Sequence, residues 1–224
     1  MKTLSFAKII DGLAYRWDRR QIFSDFLEMV ICAFSLGAKE ARYMEIISTY
    51  SPEEINSFAD ALGALVIEMD DQGNGYKDIL GEYFTLEITN GHNGQYFTPQ
   101  SVCDMMQALV AENASGKRIL DPTCGSGRTL IAAAKRNPDN EFFGADVDRN
   151  CAMMTAINMC LNSMTGEVAW MDSLKNTYHG GWRIQRHFTG VPYLVEIPEA
   201  ESRIVLRLPE AKEKPPAGQL LMNF

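Results

Sequence analysis

The sequence predicts an α/β fold, a parallel sheet with crossover helices set behind an N-terminal helical region. Three observations carry this. Short apolar runs alternate with helix-length segments between Lys117 and Ser173, as in a parallel sheet with right-handed crossovers. Roughly the first 75 residues instead place apolar residues at helical spacing. Between the first apolar run and the helix after it lies "DPTCGSG" at 121–127, a loop whose glycines permit tight backbone approach and positive φ.

Taken in order, "QIFSDFLEMVICAFSLG" at 21–37 reads as a helix stopped by Gly37. "SPEEINSFADALGALVIEMDD" at 51–71 opens with Ser51, Pro52 and Glu54, a capping box with proline in the first turn. "DQGNGY" breaks that helix. The cluster Arg16, Arg19, Arg20 reads as a solvated helix face, with a phosphate contact as the alternative. From Lys117, "KRILDP" predicts a strand, "SGRTLIAAAKRN" a helix, "NEFFGADVD" a strand, "RNCAMMTAINMCLNSM" a helix and "GEVAWMDS" a strand. "LKNTYHGGWRIQRHFTGV" at 174–191 reads as loop, and "PYLVEIP" and "SRIVLRLP" as two short strands closed by proline. The organisation is a helical region over 1–76, an α/β domain over 77–208 and a tail over 209–224.

With 46% hydrophobic and 22% charged residues the chain can bury a core. No apolar run reaches the ~20 residues of a membrane-spanning helix, and "MKTLSFAKIIDGLAYRW" does not read as a secretory signal. The cysteines at 32, 103, 124, 151 and 160 form no C-x-x-C pair. This is the usage of reduced thiols in a cytoplasm rather than of disulfides or a zinc site. His92, His179 and His187 have no partner at metal-ligand spacing, so no metal is expected. The net charge of −8 is ill suited to holding DNA alone, because non-specific affinity comes from neutralising phosphates.

Asp121, Asp146 and Asp172 each fall at or just after a strand's carboxyl end, where ligands of parallel sheets sit. Asp146 follows Gly127 by 19 residues, the place of an acid that accepts hydrogen bonds from ribose hydroxyls. The reading is a nucleoside-containing cofactor, and two compete. A dinucleotide site prefers G-x-G-x-x-G, whose third glycine is absent after Gly125 and Gly127. Asp121 would repel a pyrophosphate and suits a cation. S-adenosyl-L-methionine, carrying an ammonium and a sulfonium, is therefore favoured over NAD.

These residues resemble a family. "GQYFTP" at 94–99, "DPTCGSG" at 121–127, "GADVD" at 144–148, "INMCLNSMTG" at 157–166 and "MDSL" at 171–174 follow one another as in N6-adenine DNA methyltransferases. The likeness is closest to the modification (methylase) subunits of type I restriction–modification systems. "DILGEYF" at 78–84 looks like their lead-in helix, and the resemblance covers about residues 77–174. It implies a Rossmann-like S-adenosylmethionine-dependent methyltransferase sheet, shortened in its C-terminal half. It also implies roles: Phe97, Thr98 and Pro99 closing over the donor's methionine part, and Asp121, Thr123, Gly125 and Gly127 forming its cradle. Asp146 would hold the ribose and Val147 would lie against the adenine. Asp172 would bind the adenine amino group, with Ser173 and Leu174 lining that pocket.

The family's chemistry uses a further block, Asn/Asp-Pro-Pro-Phe/Tyr. Its acceptors take the hydrogens of the target amine as nitrogen turns tetrahedral, and its ring stacks on the flipped base. "VPY" at 191–193 lacks the acceptor, and "KPPA" at 214–217 has Lys214, a donor, in its place and Ala217 for the ring. No catalytic residue is therefore assigned. The expectation is a donor-binding protein of DNA modification that meets DNA through a partner, a specificity subunit or second methylase chain. The alternatives are a catalytically silent relative acting as an accessory protein and an NAD-dependent Rossmann enzyme.

Overall fold

The computed structural model describes residues 4–89, 97–110 and 115–207. Five helices come first: α1 (Phe6–Leu13), α2 (Arg19–Ala33), α3 (Glu40–Ile47), α4 (Pro52–Asp70) and the short α5 (Ile79–Tyr83), which runs into a π-helical turn, Phe84–Thr89. After α6 (Gln100–Val110) come β1 (Arg118–Asp121), α7 (Arg128–Arg136), β2 (Glu141–Asp146), α8 (Arg149–Leu161) and β3 (Thr165–Asp172). Two further strands, β4 (Thr177–Arg186) and β5 (Pro192–Glu196), complete a sheet of order β1-β2-β3-β4-β5.

The helical signals act as physical chemistry requires. The Ser51 hydroxyl accepts from the Glu54 N–H, and the Glu54 carboxylate accepts from the Ser51 N–H at 2.8 Å, so both bonds of the capping box form. The helix over 21–37 ends earlier than the glycine suggested. Its last residue is Ala33, and Gly37, at φ +82°, belongs to the turn beyond. The arginines of 16–20 face solvent at least in part and also pair within the chain. Arg16 pairs with Glu54, Arg19 with Asp11 and Glu87, and Arg20 reaches the Ile88 carbonyl.

β1, β2 and β3 are parallel, as the alternating pattern requires. The stretch 174–191 corrects the loop reading. Residues 177–186 are a ten-residue strand, antiparallel to β3 and then to β5. Gly180 and Gly181 disguise it, yet Gly181 is required there. A Cβ at Gly181 would lie 2.6 Å from the Val168 carbonyl oxygen and 2.7 Å from the Tyr178 hydroxyl. "PYLVEIP" does contain a strand, β5. "SRIVLRLP" is corrected as well: residues 202–207 form no strand. The buried Glu167 carboxylate accepts from the Ser202 hydroxyl at 2.7 Å and the Arg203 N–H at 2.8 Å, which turns the backbone away from sheet pairing. The tail "EAKEKPPAGQLLMNF" lies outside the described residues.

The helices cover one face of the sheet. Phe142 and Val168 join a continuous core with Phe6, Phe23, Phe26, Leu65, Ile131, Met153 and Ile157, so the helical region and the sheet share one apolar interior. The other face carries a small cluster of Phe143, Ala145, Ala169 and Met171 under Ile204. The Arg118 and Arg203 guanidinium groups both stand over the Phe143 ring there, at 4.7 and 4.8 Å from its centroid. The β4–β5 hairpin is tied back to the helices by the Leu194 N–H, which donates to the Phe34 carbonyl at 2.9 Å.

Candidate functional site

The three carboxylates share one side of the sheet. Asp121 pairs with Gly144, and Asp146 pairs with Trp170. Residues paired across strands, and residues two apart along one, point to the same face. Asp121, Asp146 and Asp172 thus project together from the carboxyl ends of adjacent parallel strands. The face is the one α8 covers, since a Cβ on Gly144 would meet Cys124 and Thr155.

The loop between β1 and α7 is folded around these groups. Asp121 Oδ1 accepts from the Thr123 N–H at 3.1 Å. The Cys124 N–H donates to the Ala145 carbonyl at 2.9 Å, extending the sheet ladder into the loop. The Gly125 N–H donates to Asp146 Oδ2 at 2.9 Å, while Asp146 Oδ1 takes the Asp148 N–H at 2.9 Å. From below, the Thr155 hydroxyl donates to the Gly125 carbonyl at 2.8 Å. Gly125 has φ +56°, and a Cβ there would stand 2.9 Å from Phe97 Cε1. Gly127 has φ +84° and caps α7, where the first free N–H groups of the helix look outward. Both glycines are thus required by conformation, and Gly125 also by the ring above it.

The acids differ electrostatically. Burial pushes Asp146 above its ordinary value, against the pull of the Asp148 and Gly125 N–H groups. Asp172 is held below its ordinary value, by the Lys175 N–H and ammonium and then by the Leu174 N–H. Its Oδ1 accepts from Leu174 and Lys175, and its Oδ2 pairs with Lys175 Nζ at 3.1 Å. Among the described residues Asp121 Oδ2 takes no hydrogen bond. Burial also raises the Cys124 thiol, which lies under the loop. All five cysteines are free and buried.

A cavity of about 680 Å³ opens beside the loop and runs along β1. Phe97, Thr98, Asp121, Thr123 and Gly125 line it, together with Leu120, Met106 and Arg128. Pro99 is exposed next to Thr98. Gly127, Asp146, Val147, Asp172, Ser173 and Leu174 are not in the lining. The last five form an open rim across β2 and β3. There Val147 is 66% and Leu174 99% exposed, and the Ser173 hydroxyl donates to the Pro122 carbonyl at 2.7 Å. The rim also holds Trp170, whose indole N–H donates to the Val147 carbonyl at 3.1 Å and whose ring packs on His179. Sequence reasoning did not single out Thr155, Ser126 or Arg128. A hydroxyl on a helix facing a glycine loop has no one-dimensional signature, though Ser126 and Arg128 stand within and just after the loop motif itself.

"VPY" lies at the wrong end. β4 runs antiparallel to β3, with Thr177 beside Asp172 and Ile184 beside Gly166. The turn that follows Arg186 is therefore at the amino ends of the parallel strands, across the sheet from the three acids. "KPPA", and Gly94–Tyr96 of "GQYFTP", lie outside the described residues.

Comparison with known proteins bears on this geometry. A family model described as N-6 DNA Methylase matches residues 68–193, more than half of the chain. The type II methyltransferase M.XamI of Xanthomonas campestris pv. amaranthicola is 31% identical over 78 residues, 35% of this chain and 15% of the relative. The type II restriction enzyme and methyltransferase RM.BcgI of Heyndrickxia coagulans is 26% identical over 157 residues, 61% of this chain and 24% of the relative. The match thus spans a quarter or less of these relatives' length. Among solved structures, a type I restriction–modification methyltransferase subunit from Streptococcus thermophilus matches at TM-score 0.36 and 18% identity, over 71% of this chain and 36% of that one. A putative class I S-adenosylmethionine-dependent methyltransferase from Listeria monocytogenes matches at TM-score 0.37 and 16% identity, over 64% and 51%. By the family match, over the segment that holds the glycine loop and all three carboxylates, the chain belongs to the N-6 DNA methylase family.

Proposed function

We propose that the chain binds S-adenosylmethionine above the 121–127 loop and serves the methylation of adenine N6 in DNA, with the acceptor-binding groups supplied by a further polypeptide segment. One observation carries the reading: the strand register turns three carboxylates to one side, beside a loop whose Gly125 amide is held by one of them. The residues suit the donor. Asp121 has a carboxylate oxygen available to a cation, and its charge argues against a pyrophosphate. Asp146 spends one lone pair on the loop's Gly125 amide and one on the Asp148 amide, leaving capacity for ribose hydroxyls. Gly125 and Gly127 let the loop fold close against Phe97 and Thr155, and Thr123 lines the cavity beside it. Phe97, Thr98 and Pro99 stand over that loop for the methionine part. Val147 offers an exposed apolar surface to the adenine, and Asp172, Ser173 and Leu174 offer polar and apolar edges to its rim. When bound, the donor supplies a methyl group on positively charged sulfur. The chain's own residues orient it and balance its charge.

The acceptor half of the reading rests on β1. The Glu141 N–H donates to the Lys117 carbonyl, so alternation turns Lys117, Ile119 and Asp121 toward β2 and the polar backbone of Arg118 and Leu120 outward. Among the described residues nothing pairs with that edge, and Leu120 is 53% exposed. In open α/β sheets the ligand crevice forms where strand order reverses. A parallel strand added beside β1 would make that reversal next to the glycine loop. DNA would then be met largely through the added partner, in keeping with the acidic balance of this chain.

Calorimetric titration with S-adenosylmethionine, beside NAD, tests the donor assignment. Binding of the methyl donor and not of NAD is expected, and Asp146→Ala should weaken it by about 1–3 kcal/mol, the value of a hydrogen bond to a buried polar group. Unchanged affinity in that variant would remove Asp146 from the site.

A further inference from the structure

Asp78 is a buried carboxylate that ties together several elements around the loop. It is 2% exposed and caps α5, its Oδ1 accepting from the Gly81 N–H at 2.9 Å. The same oxygen takes Asn158 Nδ2 of α8 at 2.9 Å. Oδ2 takes the Ser126 hydroxyl at 2.5 Å, and both Nε and Nη2 of Arg128 at 2.9 Å. Four elements therefore converge on one carboxylate: the lead-in helix α5, the glycine loop through Ser126, α7 through Arg128, and α8 through Asn158. Asn158 also donates to the Ser126 carbonyl at 2.8 Å, so Ser126 is held at both its side chain and its backbone. Gly81 has no room for a side chain, because a Cβ would collide with the Asp78 carboxylate and Ser126.

Arg128 gives this cluster its functional meaning. It is the first residue of α7, it lines the cavity beside the loop, and its Nη1 donates to the Thr98 carbonyl at 3.1 Å. A guanidinium at the positive end of a helix is adverse to a cationic ligand nearby. The donor differs from its demethylated product, S-adenosylhomocysteine, by a methyl group and the positive charge that comes with it on sulfur. We propose that Asp78 is a positioning residue that acts in two ways, holding the loop through Ser126 and neutralising Arg128, so that the carboxylates of the site act on a donor cation unopposed. The proposal rests on donor binding as read above and adds a specificity that no site residue alone explains, namely preference for the charged donor over the neutral product.

The test uses Asp78→Asn, Arg128→Gln and the double variant in the full chain, each titrated with S-adenosylmethionine and with S-adenosylhomocysteine. Folding is checked by circular dichroism and melting. Asp78→Asn leaves Arg128 uncompensated, so the ratio of donor to product affinity should fall by about three- to tenfold, the scale of one charge at partly solvated range. Arg128→Gln should raise the ratio, and the double variant should return it to within about twofold of wild type. A purely structural Asp78 would weaken both ligands alike, and that result would overturn the electrostatic role. So would a ratio that Arg128→Gln leaves unmoved, an arm that decides the matter even where Asp78→Asn does not fold. The positioning role has its own readout: in ligand-free Asp78→Asn, amides of Gly125–Arg128 should exchange hydrogen faster relative to those of β2. Equal rates would refute it. If wild type binds neither ligand, the donor assignment fails, and the exchange experiment still decides whether Asp78 holds the loop.

Discussion

Replacing Gly125 with alanine tests the loop at its tightest point. The backbone sits at φ +56°, and placing an L residue with Cβ in the left-handed region costs about 1–2 kcal/mol. The added Cβ would also stand 2.9 Å from Phe97 Cε1 and 3.1 Å from Cδ1, so the ring must move. Phe97 is stacked on Phe84, centroids 5.6 Å apart and planes 12° apart. Disturbing such a pair costs about 0.5–1.5 kcal/mol. The sum, about 1.5–3.5 kcal/mol, should lower Tm by roughly 3–14 °C in a chain of this length. Donor affinity should fall about tenfold, because the amide that meets Asp146 and the ring above it shift together. Gly37→Ala is the internal standard: φ is +82° there with nothing within 4 Å, so only the conformational part should be lost. Differential scanning calorimetry of Gly125→Ala, Gly37→Ala, Phe97→Leu and Gly125→Ala/Phe97→Leu separates the two parts in a double-mutant cycle. On the Phe97→Leu background, Gly125→Ala should cost the conformational part alone. If Gly125→Ala melts with Gly37→Ala, or costs as much with the ring trimmed as with it present, the crowding argument is wrong.

Ser51→Ala removes one bond of the capping box and should cost about 1 kcal/mol in chemical denaturation; Glu54→Gln, which keeps a reciprocal acceptor, should cost less. Glu28, although burial opposes its charge, is held at about 2, from an ordinary 4.5, by hydrogen bonds and charge from Arg42 and Arg149. A depressed carboxylate stabilises the fold above its unfolded value and loses that stability as pH falls toward the folded one. Wild type should therefore lose more stability than Glu28→Gln between about pH 4.5 and 2. With labelled donor and mixed-sequence DNA, the purified chain should incorporate no label. Incorporation that Asp121→Ala abolishes would show an acceptor site within these 224 residues.

What was legible in the sequence follows from how local each signal is. The capping box, the three parallel strands and the acids at their ends are written in neighbouring residues, and the structure has them in place. β4 was not legible, because Gly180 and Gly181 look like loop until Val168 and Tyr178 are known to crowd Gly181. Ser202–Arg207 looked like strand because its alternation is real. What redirects it is Glu167, 35 residues away from Ser202 in the chain. In the site, the loop motif announced its glycines, while Thr155, Asn158 and the reach of Asp78 depend on α5 and α8 arriving at the same place. Such convergence has no periodicity to read.

The two flanks of the sheet are unequal, and this limits how the molecule can associate. Antiparallel alternation turns the N–H positions of residues 192, 194 and 196 outward from β5. Pro192 has no such group, Leu194 has spent its own on Phe34, and the Glu196 side chain is paired with Lys39. That flank is blunted in the manner of protected edges. With one receptive flank among the described residues, the sheet has a valence of one: it can take a neighbour, but cannot propagate edge-to-edge contact into a filament. Crowding in a concentrated solution should therefore end in pairs, not fibres.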